Sequence, residues 1–246
     1  MLKKLVKRTL PESIKAAVSQ SLFGYRKLKP IAKRKCNICG YNGWFEAAGR
    51  PPRLDARCPK CFSLERHRLL MLALQRGAIP FDVGKNDQVL HFAAEPALQE
   101  IFRKRWAKYS TADLFAQADL ILDIENIDYP SKSVKVIIAN HVLEHVDDIK
   151  AAHELYRILD DGGVLLCMVP IVEGWESTYE NAAIDSEGLR LLHFGTKEHV
   201  RFYGRDFRKR IESGGLGLVS EITAFGDDVA KYGLVRGEKV FVFSRS

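Results

Sequence analysis

Apolar and polar positions along residues 133–170 alternate in a pattern that reads as strand, polar loop, amphipathic helix and second strand. Val134, Val136, Ile137, Ile138 and Ala139 form a short β-branched run, as expected of a parallel strand covered on both faces. Asn140, His141, Glu144 and His145 follow at its carboxyl end, the edge where open α/β sheets bind ligands. Ala151, Leu155, Ile158 and Leu159 recur at helical spacing, and Gly162-Gly163 is expected to supply the positive φ that ends that helix. Leu165 to Val169 returns as the next strand.

The same alternation extends from about residue 86 onward. Strands are predicted at Gln88–Phe92, Lys108–Ala112, Leu120–Asp123, Val134–Ala139, Val164–Val169, Leu218–Ile222 and Lys239–Phe243, the last two antiparallel. Helices are predicted at Ala97–Trp106, Ile149–Leu159 and Arg205–Glu212. Seven strands interleaved with helices argue an α/β fold with a mostly parallel sheet and helices on both faces.

A different signal precedes this body. Cys36-x2-Cys39 and Cys58-x2-Cys61 are separated by 18 residues, the spacing of a four-thiolate zinc site. Each turn offers two sulfurs to one ion, and a closed four-cysteine shell is structural because it leaves no position for substrate. The ion carries a formal −2 with its thiolates, which Lys35, Arg57 and Lys60 are placed to offset. Disulfides are disfavoured in a chain with no export signal. Ser63 is expected to cap a helix that runs to about Gln75 and stops at Gly77 and Pro80. Cys167, inside an apolar strand, reads as an inert core residue.

Composition changes the picture mainly through where the charge sits. Of the 246 residues 46% are hydrophobic and 28% charged, as in a globular domain. Residues 1–35 carry 11 Lys or Arg against one acid, a net of +10, so with a total of +7 the other 211 residues sum to about −3. The chain therefore divides into a basic helical leader (1–35), a zinc module with a connecting helix (36–80) and the α/β domain (86–246). The leader is suited to phosphate, nucleic acid or an anionic membrane face, or is simply a solvated helix. No apolar run reaches the roughly 20 residues of a membrane helix. Cytoplasmic residence is expected, with peripheral contact at the inner membrane face through the leader left open.

The order of elements over 86–246 resembles class I S-adenosylmethionine (SAM)-dependent methyltransferases, which implies a Rossmann-like sheet. In that family an acid ending strand two holds the ribose hydroxyls, and Asp113 matches it. Asp123, with Ile124 against the ring, matches the family's acid near adenine, and Asn140 would lie by the methionine end. Leu155-Tyr-Arg-Ile-Leu-Asp-Asp-Gly-Gly163 resembles the R-x-L-x-P-G-G stretch, with Asp161 in place of proline. The first loop departs from the family: Leu90-His91-Phe92-Ala93-Ala94-Glu95-Pro96 contains no glycine. Over 36–205 the chain resembles a zinc-containing bacterial branch with this loop, the cysteine quartet and a Ser-Leu-Glu-Arg-His-Arg helix. The resemblance implies that His91, Ala93 and Glu95 meet the cofactor.

Transfer to a hydroxyl requires alignment of the reactants and removal of a proton. His141 and His145 sit at i and i+4 around Glu144, so a helical turn would place them on one face. His145 is the preferred base, with His141 and His199 as the other candidates, because imidazole titrates near neutrality. The His-x-x-Glu-His spacing also suits a metal, but no third ligand is evident and the turn is not read as a metal site. Tyr179, His193, Arg201 and Tyr203 lie in long insertions after strand five and would suit a hydroxylated or anionic acceptor; the alternative is a loop that packs on the sheet. Three functions stay open: O-methylation of a small molecule or saccharide, methylation of RNA held by the module and leader, and a non-catalytic binding protein on the same fold. The oligomeric state is not legible.

Overall fold

The computed structural model describes residues 28–245 except 50, 80 and 116, together with residues 11, 14, 15 and 24. Most of the expected helical leader lies outside the described residues. Its end is extended instead: Lys33–Lys35 is strand β1, paired antiparallel with β2 (Asn42–Trp44). A second ribbon joins β3 (Glu46–Ala48) to β4 (Arg53–Arg57). One cysteine pair sits between β1 and β2, the other directly after β4. Helix α1 (Glu65–Gln75) follows. Leu64 rather than Ser63 is its N-cap, and the His67 imidazole, not a Glu or Gln, accepts the Leu64 amide at 3.1 Å. The Ser63 hydroxyl lies between Cys36 Sγ (3.4 Å) and Cys61 Sγ (3.2 Å).

The main sheet has seven strands: β5 (Gln88–Phe92), β6 (Lys108–Asp113), β7 (Leu120–Ile121), β8 (Val134–Asn140), β9 (Leu159–Met168), β12 (Gly217–Thr223) and β13 (Lys239–Ser244), with a small separate pair, β10 (Tyr179–Glu180) and β11 (Arg201–Phe202). The spatial order is β12-β13-β9-β8-β5-β6-β7. Only β13 runs against its neighbours, pairing antiparallel with both β9 and β12. Side chains alternate across this sheet with period two. Leu90, Ile137, Leu165, Cys167, Phe241 and Phe243 enter one core with helices α3 (Asp148–Ile158) and α5 (Phe207–Glu212). Val89, Val136, Ile138, Leu166, Val240 and Val242 enter the other, against α1, α2 (Pro96–Arg105) and the end of α6 (Asp227–Tyr232). The helix expected to connect the zinc module is thus part of the sheet's own covering layer. No helix among the described residues is long and apolar enough to cross a membrane.

One local expectation is corrected. Helix α3 stops at Ile158, and Leu159 is already extended (φ −63°, ψ 135°). Leu159 pairs with Val134, while the next register point is Val136 with Val164. Residues 160–163 therefore loop out of the ladder, and Gly162 takes φ +66° there. A Cβ on Gly163 would lie 2.8 Å from the Asp160 carbonyl. The two glycines serve a bulge in β9, not a helix cap.

Arg68 joins the module to the sheet layers. Its side chain is fully buried, and its guanidinium donates to the carbonyls of Ser63 (2.7 Å), Ala56 (2.9 Å), Tyr232 (2.7 Å) and Gly233 (2.8 Å). The Phe45 ring lies 4.7 Å beneath it. Gly233, left-handed at φ +58°, ends α6, and a Cβ there would meet the Asp55 carbonyl at 2.9 Å. Arg68→Ala would take a donor from four carbonyls, of which Ser63 keeps the Cys58 amide at 3.0 Å, at about 1–3 kcal/mol for each one left buried and unpaired. A loss of about 4 kcal/mol in urea unfolding at pH 7 is expected. Arg68→Lys recovers less than half of it, because one ammonium cannot span the planar guanidinium's four acceptors.

Candidate active site at the sheet switch point

From β5 the chain winds to β6 on one side, while β8 lies on the other. Ligands of open α/β sheets bind at the carboxyl ends of the strands where the order reverses in this way. A cavity of about 540 Å³ opens there, lined by Phe92, Ala93, Asp113, Ile124, His141 and His145 among others. Ala93 (φ +46°) and His141 (φ +53°) are both left-handed. Such strain at non-glycine residues persists only where the surroundings enforce it, and it gathers at functional sites. Ala93 takes, without glycine, the backbone conformation that a glycine loop adopts freely.

The residues expected around a nucleotide divide into two groups. Asp113 ends β6; one carboxylate oxygen meets the Phe115 amide at 3.4 Å, and the other makes no hydrogen bond among the described residues. Ile124, Leu122 and Val142 give the cavity apolar walls. A carboxylate, an apolar slot and a tight backbone turn fit the ribose, adenine and methionine parts of SAM. Asp123 is exposed and does not line the cavity, its carboxylate turned onto the Glu125 amide at 2.9 Å. Asn140 is buried with its Oδ1 unpartnered.

His91 and Glu95 lie elsewhere. His91 is fully buried between Tyr109 Oη (2.8 Å) and Glu95 Oε2 (3.0 Å), and neither residue lines the cavity. Burial pushes the Glu95 carboxyl up, but the N–H groups that His67 and His91 turn toward it outweigh this and hold the group well below the usual carboxylate range. Burial raises the Tyr109 phenol, which stays protonated. The chain therefore runs Tyr109 O–H to His91 Nδ1, then His91 Nε2–H to Glu95. His67 Nδ1 accepts from Leu64, so its Nε2–H faces Glu95 Oε1 at 3.4 Å, and Arg66 stands 3.8 Å from the same oxygen. The Ser-Leu-Glu-Arg-His-Arg helix thus grips the loop after β5 from behind.

The third group collects after β8. His141 is not on a helical face with His145; only Leu143–His145 form a 3-10 turn. His141 Nδ1 meets Glu144 Oε1 at 3.1 Å, and Glu144 is fully buried with Oε2 unpartnered. Burial raises the Glu144 carboxyl, and the hydrogen bond from His141 more than offsets this. His199 comes from 54 residues further along the chain, its Nε2 3.9 Å from Glu144 Oε1. Its ring is perpendicular to His145, with centroids 4.7 Å apart. Burial lowers the His199 imidazole, with Glu144 opposing. The amide of Val200 donates to the Glu144 carbonyl at 3.0 Å and holds this segment in place.

Two residues expected at an acceptor are structural. Tyr203 is 0% exposed, and its single hydroxyl proton lies between two acceptors, the Leu143 carbonyl at 2.9 Å and Asp148 at 3.1 Å. Arg201 is buried against Glu180 and the carbonyls of Leu143 and Val146. Together they pin the β10–β11 pair to the 3-10 turn. Tyr179 and His193 are bonded to each other at 2.8 Å and face solvent. Helix α4 (Glu187–Phe194) and the turn after it bring Glu187, Arg190, Lys197 and Glu198 to the cavity, which the sequence reading did not single out. They are ordinary surface charges in the sequence, and only the fold turns them inward.

The four cysteine sulfurs lie within 4.8 Å of one another, with Cys36–Cys61 and Cys39–Cys58 each 3.6 Å apart. Sulfurs about 2.3 Å from one tetrahedral ion stand about 3.8 Å apart, so the cluster fits a zinc shell. The nearest buried cation is Arg68; Arg57 pairs instead with Glu46 at 2.8 Å. The two knuckles have the same backbone: the amides of Gly40 and Phe62 return to the Cys36 and Cys58 carbonyls, at φ +74° and +58°.

A family described as a methyltransferase domain matches residues 27–221. No curated protein matches the chain. Among solved structures, the chain is similar to geranyl diphosphate C-methyltransferase from Streptomyces coelicolor A3(2), solved with Mg2+, geranyl-S-thiolodiphosphate and S-adenosyl-L-homocysteine. That likeness covers 76% of this chain and 80% of the other at 13% identity, with a TM-score of 0.52. A geranyl diphosphate methyltransferase in complex with SAM is similar over 74% and 87% at 13% identity, with a TM-score of 0.51. At these identities the likeness is one of fold.

Glu95→Gln tests the grip on the loop after β5. The change is expected to cost about 2 kcal/mol at pH 7 by weakening two buried contacts. Because the folded carboxyl lies below its ordinary value of 4.5, its stabilisation is present above that pH and is lost as the medium becomes more acid. In chemical unfolding at a series of pH values, the gap between wild type and Glu95→Gln should therefore narrow below about pH 4.5. A gap that stays constant or widens contradicts an ionised Glu95.

Proposed function

This chain belongs to the methyltransferase-domain family and has the class I SAM-dependent fold, and we propose that it methylates a hydroxyl oxygen of a small molecule or saccharide. The observation that carries the proposal is the convergence of His141, Glu144, His145 and His199 beside the cavity that Asp113 also lines. When bound there, SAM supplies an electrophilic methyl group on a sulfonium. Asp113 holds the ribose hydroxyls, Ile124 borders the adenine with Asp123 beside it in the chain, and the backbone at Ala93 and Asn140 receives the methionine end. The histidine cluster after β8 holds the acceptor hydroxyl and makes removal of its proton possible, with His145, the exposed member, nearest to solvent. Arg190 contacts the acceptor at the cavity, and the exposed Tyr179–His193 pair lies along its approach from solvent. The four cysteines hold one structural zinc ion, whose role is to fix the module against α1.

Three measurements test this reading. Asp113→Ala should weaken SAM binding at least tenfold by calorimetry. His145→Ala should leave SAM affinity within about threefold while transfer falls by roughly 100-fold or more, the usual worth of a proton-transfer group. The readout is release of S-adenosylhomocysteine with a panel of saccharide acceptors. No saturable SAM binding at millimolar concentration would overturn the enzyme reading; turnover of RNA but of no saccharide would replace the acceptor. Metal analysis should return one equivalent of zinc, and Cys58→Ser should lose it together with thermal stability. Full stability of zinc-free protein contradicts the structural role.

A further inference from the structure

The residues gathered after β8 have a composition that an acid–base reading does not use. Glu144 is fully buried, and one of its oxygens, Oε2, has no partner among the described residues. A buried carboxylate oxygen without a donor is costly, and the same carboxylate's Oε1 lies 3.1 Å from His141 Nδ1 and 3.9 Å from His199 Nε2, imidazoles from two distant segments. One ligand atom from each of Glu144, His145 and His199 lies within 4.8 Å of the others. We propose that these three residues form a site for a divalent first-row transition-metal ion that ligates the acceptor hydroxyl. This deepens the methyltransferase reading and rests on it for the identity of the acceptor as a hydroxyl compound.

The donor set is two imidazoles and one carboxylate, which suits Mn, Fe, Co, Ni or Zn and leaves positions open for an exogenous oxygen. Ligation at about 2.1 Å requires donor separations of about 3 Å. The 3.9 Å between Glu144 Oε1 and His199 Nε2 needs a contraction of about 1 Å, and His145, the exposed member, can rotate into place. The His145 and His199 rings are perpendicular, at 85°, not stacked face to face. His141 Nδ1, bonded to Glu144 Oε1 at 3.1 Å, orients the carboxylate from outside the donor set, as partners of ligating carboxylates do. His141 is therefore a positioning residue. His141 and His145 line the same cavity as Asp113, so open coordination positions would face it. A hydroxyl bound to the ion loses its proton at lower pH than in water; the proton passes to solvent water and the alkoxide remains on the ion. The His-x-x-Glu-His spacing lacked a third ligand in sequence, and the fold supplies it through His199.

The test uses the full chain with zinc in its cysteine site. Mn2+ is added, since it prefers nitrogen and oxygen donors to thiolates, and its free aquo signal is followed by electron paramagnetic resonance. Wild type should bind one Mn2+ saturably at micromolar concentration. His199→Ala, Glu144→Gln and the exposed-site variant His145→Ala should each weaken it at least tenfold, and His141→Asn by a smaller factor. His145→Ala guards against an unfolded variant, and circular dichroism of each protein confirms its fold. Absence of a saturable Mn2+ site in wild type, or equal binding by wild type and all three ligand variants, overturns the proposal. SAM titration of the same preparations separates the two readings. Mn2+ binding without SAM binding keeps the metal site and removes the methyltransferase; SAM binding without Mn2+ binding does the reverse.

Discussion

The site exists because one sheet winds in both directions from β5. β5 and β8 are neighbours in the sheet but not in the sequence, and the chain leaves their carboxyl ends toward opposite flanks. A crevice between the two exits follows from this topology before any side chain is considered. β8 is buried over six of its seven residues, so its end cannot shift to relieve strain. The strain falls on the first residue after each strand, Ala93 and His141, both left-handed at a cost of order 1–3 kcal/mol each. Packing of the two strands on both faces of the sheet sustains that cost. In return, the Ala93 backbone and the His141 ring are fixed at one cavity.

The zinc module belongs to the same construction. Its helix α1 covers one face of the sheet, and two consecutive side chains on it reach in different directions. His67 faces Glu95 and so holds the loop after β5; Arg68 collects carbonyls from the module and from the end of α6. A guanidinium can be buried whole only when its donors are met, and the carbonyls meet four of its five N–H groups. The thiolate cluster lies close enough to favour its charge. The module thus transmits order to the crevice through one helix, with Arg68 fixing where that helix starts and His67 fixing what it touches.

Features with a short period or a local motif were legible in the sequence. The two-residue alternation of β8, β9 and β13, the cysteine spacing and the Gly77 helix stop all follow from neighbours within a few positions. What was missed depends on partners far along the chain. Gly162-Gly163 reads as a helix cap until the pairing of Leu159 with Val134 shows that a strand has already begun. Arg201 and Tyr203 look like acceptor contacts until Leu143 and Asp148, more than 50 residues earlier, take up their polar atoms. Glu95 looks available to a cofactor until His67 and His91 occupy it. Arg68 carries no sequence mark, since an arginine in a charged helix start is ordinary.

The placement of Arg201 and Tyr203 also bears on the acceptor. With both consumed by the 3-10 turn, selection falls on groups that reach the cavity mouth: Glu187, Arg190, Lys197 and Glu198, with Leu114 and Phe115 beside them. Two acids and two bases give the mouth no net charge. Recognition of a nucleic-acid backbone depends on accumulated positive charge, and these four residues supply none in excess. A polyhydroxylated acceptor needs the opposite arrangement, donors and acceptors interleaved with an apolar or aromatic surface for a ring face. Arg190 Nε, buried and without a partner, is one such donor; Phe115, 76% exposed, is one such surface. The proposal of a neutral, hydroxyl-rich acceptor thus draws on the rim as well as on the histidine cluster.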